Sequence, residues 1–133
     1  MKLINNTENN SHYDVMMAVA KESDELIIAS PFCFNDFRPF TDDLASNSGI
    51  RSVTFITTLK QDELLSKIEA LMSFSIEMTA HMIDWKIYID NRLHGKVYIF
   101  RKSGDYAGAI ITSANITTKG QKTNHEWGCL TRE

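Results

Sequence analysis

The spacing of apolar residues changes near residue 84, and this change limits the folds open to the chain. Before it, extended segments such as DELIIASPF and IRSVTFITTL alternate with segments of helical spacing. After it come four short strand candidates, WKIYID, KVYIF, GAIIT and EWGCLT. Strands separated by helices pair in parallel, whereas strands joined by tight turns pair antiparallel. The sequence therefore predicts an α/β domain, a mixed β-sheet flanked by helices.

Two segments predict helices with an apolar face, and a glycine predicts where a third helix ends. In HYDVMMAVAKES the helical spacing involves Val15, Met16, Val19 and Ala20. The longer segment KQDELLSKIEALMSFSIEM predicts a second helix whose core-facing stripe is Leu64, Leu65, Ile68, Leu71 and Met72. Between them, Gly49 predicts a helix stop. The β-branched segment IRSVTFITTL predicts a central strand.

The composition indicates one globular domain over residues 1–133. Hydrophobic residues make up 43% of the chain and charged residues 23%, which excludes an intrinsically disordered chain. The polar start MKLINNTENN and the lack of a long apolar run predict a cytoplasmic protein with no membrane partner. Cys33 and Cys129 belong to no CxxC or Cys/His cluster, so we expect buried free thiols rather than a disulfide or a zinc site.

The charge is unevenly distributed along the chain. Residues 1–93 carry 8 Lys and Arg against 14 Asp and Glu, whereas residues 94–133 carry 6 against 3. A local positive field attracts a polyanion to one end of a domain. The same clustering also occurs on ordinary solvated faces, so the charge pattern leaves both interpretations open.

Polar residues of complementary chemistry are predicted to converge in the last forty residues. His94 and Lys96 lie two apart in a predicted strand and should share a face. The next strand returns through the turn KSGDY and ends at Ser113 and Asn115, near His94. Glu126 begins the last predicted strand. Imidazoles can attack phosphorus and transfer protons, while lysine and amide groups stabilise phosphate oxygens and a carboxylate orients a histidine. This set predicts phosphodiester chemistry.

The segments HGK, TSANIT and NHEWG together resemble the phospholipase D superfamily, whose signature is HxK, a GSxN-like segment and an acidic residue. Lys96, Asn115 and Glu126 follow His94 by 2, 21 and 32 residues, a spacing most similar to the compact nuclease branch and to the catalytic domain of NgoFVII-like restriction endonucleases. The resemblance implies catalytic roles for His94, Lys96, Asn115 and Glu126, with His94 as nucleophile or general acid. It further implies that Lys96, Ser113 and Asn115 bind phosphate, and that no metal or cofactor takes part.

Two positions depart from the superfamily signature. An aspartate often stands five residues after the lysine, where this chain has Arg101, and a glycine is expected before the serine, where it has Thr112. The nuclease branch tolerates both changes. The departures therefore favour a nuclease over the lipid-cleaving relatives.

The chain contains one HxK motif, whereas the chemistry implied by the resemblance needs two. His12, His81 and His125 have no lysine two residues later. The resemblance therefore implies a C2 homodimer with one composite site at its axis, where two His94 side chains meet. It also implies DNA as the substrate and Glu126 as the partner of a histidine. We expect the chain to be the N-terminal catalytic part of a longer protein, with a separate domain that recognises the DNA sequence.

Two other functions remain open on the sequence. The chain could hydrolyse another phosphodiester, such as a phospholipid or RNA, which an apolar entry groove would favour. It could also be an inactive dimerisation or nucleic-acid-binding module, although the complete set of site residues speaks against this. Trp85 and Trp127 are expected in the core or in an interface.

Overall fold

The structure, a computed structural model, describes residues 1–132 and consists of one mixed sheet with helices. A short 3-10 turn at Gln61–Glu63 leads into the third helix, and a π-helical turn at Lys119–Thr123 lies before the last strand. In chain order the main elements are β1 (Lys2–Ile4), α1 (His12–Ala20), β2 (Glu25–Ala29), α2 (Arg38–Asn47), β3 (Ser52–Thr57), α3 (Leu64–Ala80), β4 (Asp84–Ile89), β5 (Lys96–Lys102), β6 (Asp105–Thr112) and β7 (Gly128–Thr131).

The seven strands lie in the order β1-β7-β6-β5-β2-β3-β4, and the sheet is mixed as predicted. β2, β3 and β4 run parallel, whereas β5 pairs antiparallel with β2, and the remaining pairs are antiparallel. β3 lies one strand from the edge, and the middle strand is β5. Because β5 pairs with β2 rather than with β4, residues 90–95 must cross the carboxyl ends of β3 and β2. This crossing brings the HGK segment to that edge of the sheet.

One face of the sheet carries the three α-helices and the core. Val19 of α1 lies against Gly108 of β6, at 3.4 Å from the position a Cβ would occupy there. Phe37, which precedes α2, and Phe74 of α3 both form ring contacts with Phe55 of β3, with centroids 5.7 and 5.6 Å apart. Aromatic side chains bury large areas, so these contacts fix where the helices sit. No helix within residues 1–132 is long and apolar enough to cross a membrane.

Most of the predicted core stripe of α3 is wrong, although the helix itself forms where expected and Leu71 packs against the core. Leu65 is 81% exposed and Met72 is 56% exposed. The helix instead buries Lys67, Ala70, Phe74 and Met78. Both stripes have helical spacing, so periodicity alone cannot choose between them. The surroundings decide, because β3 and β4 offer aromatic partners to Phe74, and the residues that follow β2 and β3 offer backbone oxygens to the Lys67 ammonium.

Several smaller expectations are settled by the fold. The KSGDY turn is confirmed as a hairpin, with Ser103 and Gly104 at φ of 53° and 83° between β5 and β6. Trp127 is 60% exposed and Trp85 39% exposed, so neither belongs to the core. The thiols of residues 33 and 129 are free, but both are only partly buried.

The N-terminal strand β1 was not predicted from the sequence. It pairs with β7 at the edge of the sheet, with Lys2 opposite Leu130 and Ile4 opposite Gly128. The pairing joins the two ends of the chain. As a result, the polar segment that follows β1, residues 5–11, lies beside the C-terminal residues that lead into β7.

Candidate active site at the carboxyl edge of the sheet

The predicted site residues lie together at one edge of the sheet. Lys96, the first residue of β5, pairs with Thr112, the last residue of β6. His94 lies just before Lys96 along the chain, and Ser113 and Asn115 lie just after Thr112. The expected convergence is therefore observed, and it follows from the predicted hairpin of β5 and β6. The prediction that each pair of residues shares a strand face is wrong. Of these four predicted residues only Lys96 is on a strand, because β5 begins after His94 and β6 ends before Ser113.

His94 and Lys96 face solvent. The His94 side chain is exposed, and its ring makes no hydrogen bond to the described residues. Its carbonyl oxygen accepts a hydrogen bond from Lys96 Nζ at 3.2 Å. Between them, a Cβ at Gly95 would meet nothing within 4 Å, so the surface beside the imidazole is open. An imidazole and an ammonium group in this setting are free to meet an anionic substrate.

The amide of Asn115 has its orientation set by the residues that follow β2. Asn115 Oδ1 accepts hydrogen bonds from the Phe32 backbone N–H at 3.3 Å and from Ser30 Oγ at 3.1 Å. A backbone N–H can only donate, so the atom facing it must be the oxygen. The Nδ2 group therefore points the other way, with two donors available. Such donors are suited to phosphate oxygens.

The space next to Asn115 is a shallow depression of about 530 Å³. Phe32 and Lys119 are among the residues that line it. Lys119 adds a second cationic side chain near the amide of Asn115. The depression thus places one lysine and the Asn115 amide along the same surface.

Glu126 interacts with a serine rather than with a catalytic histidine in this chain. Its Oε1 accepts a hydrogen bond from Ser113 Oγ at 2.7 Å, and Ser113 Oγ in turn accepts the Trp127 N–H at 3.1 Å. Glu126 also lies before β7, which begins at Gly128, so it is not on a strand. The Ser113 hydroxyl is already engaged by the carboxylate. This hydrogen bond joins the Glu126 carboxylate to the end of β6.

A buried histidine, His12, was read from the sequence only as a helix residue. It is the first residue of α1 and is 1% exposed. Its Nδ1 lies 2.8 Å from Asn6 Oδ1, and its Nε2 lies 2.7 Å from Thr112 Oγ1. Burial lowers the pKa of His12, and this outweighs the raising effect of the nearby Glu126 carboxylate. The neutral ring is thus favoured.

A buried lysine, Lys67, was also missed. Lys67 is 5% exposed, and its Nζ donates to Pro31 O at 2.8 Å and Thr58 O at 2.7 Å, with Glu63 Oε1 at 3.4 Å. These oxygens belong to the residues that follow β2 and β3. One feature of the sequence pointed to its burial, because Lys67 lies seven residues before Phe74 and therefore on the same face of the helix. The charge of Lys67 nevertheless argued against its burial, because lysine is seldom buried without partners.

Arg101, at the position of the aspartate in the superfamily signature, lies at the far end of β5. Its guanidinium donates to Gly104 O at 2.6 Å and forms an ion pair with Glu25 at 3.6 Å. This departure from the signature therefore lies outside the site. Thr112, the other departure, lies directly beneath it through its contact with His12.

Metal-ligand spacing is found in one group of side chains among residues 1–132, namely Asp42, Glu77 and His81. His81 Nε2 lies 3.0 Å from Asp42 Oδ1. His81 follows the C-terminal end of α3, which precedes β4 and so lies toward the opposite edge of the sheet. The His94 edge instead presents an exposed imidazole, the Lys96 ammonium and the Asn115 amide, which are suited to an anion.

Comparisons with known proteins agree with this fold. NucT from Helicobacter pylori superposes with a TM-score of 0.65 at 15% identity, covering 99% of this chain and 84% of NucT. The phospholipase D family member Nuc from Salmonella typhimurium gives a TM-score of 0.64 at 13% identity, covering 97% of this chain and 80% of Nuc. Both likenesses establish the fold. No curated protein sequence is significantly similar to the chain.

The family is established by the sequence profile rather than by the superpositions. Residues 10–132 match the family described as the NgoFVII restriction endonuclease N-terminal PLD domain. The match includes the whole HGK, TSANIT and NHEWG series and every helix. It confirms the resemblance inferred from those three segments. The chain therefore belongs to the family of NgoFVII-type restriction endonuclease N-terminal phospholipase D domains.

Proposed function

We propose that the chain is a phosphodiester hydrolase that cleaves DNA through a covalent phosphohistidine formed on His94. The observation that carries this proposal is the exposed imidazole of the HxK motif at the same edge as Asn115, whose amide donors face away from Phe32 and have no partner within residues 1–132. Lys96 lies on the same edge, in register with the residue before Ser113. An imidazole nucleophile next to a cation and amide donors is suited to attack on a phosphodiester.

The reaction proceeds in two displacements. A neutral His94 imidazole attacks phosphorus, forming a nitrogen–phosphorus bond as the bond to the leaving oxygen breaks. A second imidazole, in the protonated form, gives its proton to that oxygen. The same imidazole then takes a proton from water, whose oxygen displaces His94 from phosphorus. The products are a phosphomonoester and an alcohol, and both imidazoles return to their starting states.

The second imidazole is supplied by a second copy of the chain. Within residues 1–132, His12 is buried with both ring nitrogens engaged, and His81 lies toward the opposite edge. His125 is exposed, but no lysine follows it at the HxK spacing. A C2 homodimer brings the same residue of each copy to its axis, so two His94 side chains can form one composite site. The proposed mechanism uses imidazole and ammonium groups in place of a metal ion.

The first test of the proposal is cleavage of plasmid and single-stranded DNA in excess EDTA. We expect the wild-type chain to cut, and His94→Ala to lose about 10³-fold or more in rate because the nucleophile is gone. The matched control is His125→Ala, which removes an exposed imidazole from the same end of the molecule and should cut like the wild type. A strict need for magnesium would contradict the mechanism. Cleavage of RNA or phospholipid but not of DNA would show that the proposed substrate is wrong.

Mixed dimers test the composite site. If each active site needs two His94 side chains, a chain paired with a His94→Ala partner is inactive. After equal amounts of the two chains are denatured and refolded together, only about a quarter of the dimers are fully wild type by random pairing. Activity per wild-type chain should then fall by about half. Activity that stays proportional to the wild-type chain would contradict the shared site.

A further inference from the structure

The segment between β6 and β7 carries three of the predicted site residues, and the N-terminal part of the chain holds it at both ends. At one end, Thr112 Oγ1 contacts His12 Nε2 at 2.7 Å. At the other end, Asn6 Nδ2 donates to Gly120 O at 2.8 Å and to Asn124 O at 2.9 Å. Asn6 and His12 are themselves joined, so a single connected network spans the base of the segment.

The direction of each hydrogen bond in this network follows from its neighbours. Because Asn6 Nδ2 donates to two carbonyl oxygens, the other terminal atom of Asn6 is the oxygen, which can only accept. His12 Nδ1 must therefore carry a proton and donate to it. In the neutral ring Nε2 then has a lone pair, so the single proton of the Thr112 hydroxyl goes to Nε2 at 2.7 Å rather than to Trp127 O at 3.1 Å. Thr112 Oγ1 still accepts the Ala114 N–H at 2.9 Å.

Close packing around His12 means that this hydrogen bond depends on the residue at position 128. Thr112 pairs with Gly128 across the β6–β7 ladder. A Cβ at Gly128 would lie 2.5 Å from His12 Nε2 and 2.8 Å from Thr112 Oγ1. Only a glycine leaves room there for the imidazole and hydroxyl to meet. The residue that replaces the signature glycine, Thr112, is thus matched by a glycine on the opposite strand.

We propose that Asn6, His12 and Thr112 are positioning residues that hold the segment bearing Ser113, Asn115 and Glu126 in its reactive conformation. The catalytic consequence rests on the proposed function. Thr112 fixes the Ala114 N–H between Ser113 and Asn115, while Asn6 fixes the approach to Glu126. A small displacement of either group changes the distance to the phosphorus atom, and catalysis is sensitive to such displacements.

The test compares Thr112→Val, which removes the hydroxyl but keeps the shape, with Thr112→Ser, which keeps the hydroxyl. We expect Thr112→Val to lower kcat by about 10- to 100-fold with little change in KM. Thr112→Ser should stay within about threefold of the wild type. Thr123→Val is the matched control, because it deletes an exposed hydroxyl from the same segment and lies outside the depression beside Asn115. All variants are assayed well below their unfolding temperatures, so that a loss of stability alone leaves kcat unchanged.

A second measurement is independent of activity. Amide hydrogen exchange should become about tenfold faster in residues 113–127 of Thr112→Val, with the β2 and β3 amides unchanged. If wild-type chains fail to cut DNA, the proposed function fails. Faster exchange confined to residues 113–127 of Thr112→Val would still support the network of Asn6, His12 and Thr112. Wild-type exchange and wild-type kcat in Thr112→Val would overturn the positioning role. A Thr112→Ser variant as impaired as Thr112→Val would also overturn it.

Discussion

The two sides of the site edge use the same residue types in opposite ways. Beneath the surface, Lys67 and His12 are almost fully buried, and all their polar atoms have partners. At the surface, Lys96 is bound only by the His94 carbonyl, and the His94 ring has no partner among the described residues. A group whose hydrogen bonds are satisfied holds the structure, whereas a group that is free can bind a substrate. Burial, rather than residue type, separates the two roles.

The largest expected effect is on stability, and it comes from the buried lysine. Lys67→Met removes the ammonium group but keeps the stem, leaving Thr58 O without its donor and Glu63 without its cation. We expect a loss of about 3 kcal/mol in the free energy of unfolding. Lys96→Met, at the surface, should change it by less than about 0.5 kcal/mol. Urea denaturation followed by circular dichroism measures both free energies of unfolding. Equal losses in the two variants would contradict the claim that only the buried lysine stabilises the fold.

Asn115 tests the surface side of the comparison. Asn115→Asp keeps the oxygen that accepts from Phe32 and Ser30 but removes the two amide donors. We expect DNA cleavage to fall by about 10²- to 10³-fold, with the free energy of unfolding changed by less than about 1 kcal/mol.

The control for that change is Asn35→Asp, which adds the same charge to the depression beside Asn115 without altering the Asn115 amide. It should lower cleavage by less than about fivefold. If the two variants lose activity equally, added negative charge explains the loss, and the proposed role of the Asn115 donors is wrong.

The smallest expected effect is a pH dependence of stability that originates at His12. Its pKa is lowered from 6.5 by burial, so the unfolded chain binds a proton more readily than the folded chain. Stability from this group is therefore complete above the unfolded pKa and is lost as the pH falls below it. The free energy of unfolding should decline from about pH 7.5 to pH 5, a range that stays above most carboxyl titrations.

The matched pair for this measurement is His12→Gln and His125→Gln. The first variant removes the buried imidazole and should flatten the decline in the free energy of unfolding. The second replaces an exposed imidazole and should keep the wild-type slope. A decline that persists in His12→Gln would place its origin elsewhere.

Local features of the fold were predictable because they depend on neighbouring residues. The alternation of strands and helices before residue 84 and the Ser103–Gly104 turn follow from spacing and turn chemistry. The ordered spacing from His94 to Glu126 was enough to suggest the family that the profile match establishes. Which stripe of α3 is buried was not predictable, because two apolar stripes compete and the choice depends on the residues of the sheet beneath them.

By itself, the sequence determined the mixed α/β architecture, the HxK, SxN and acidic motifs, and their convergence at one edge. Only the tertiary structure decided which polar groups are free and which are already bonded. The bond between His12 and Thr112 joins residues 100 positions apart, and the amide of Asn115 is oriented by Phe32, 83 positions away. Spacing along the chain reports local geometry, whereas the satisfaction of a hydrogen bond depends on partners brought together by the fold.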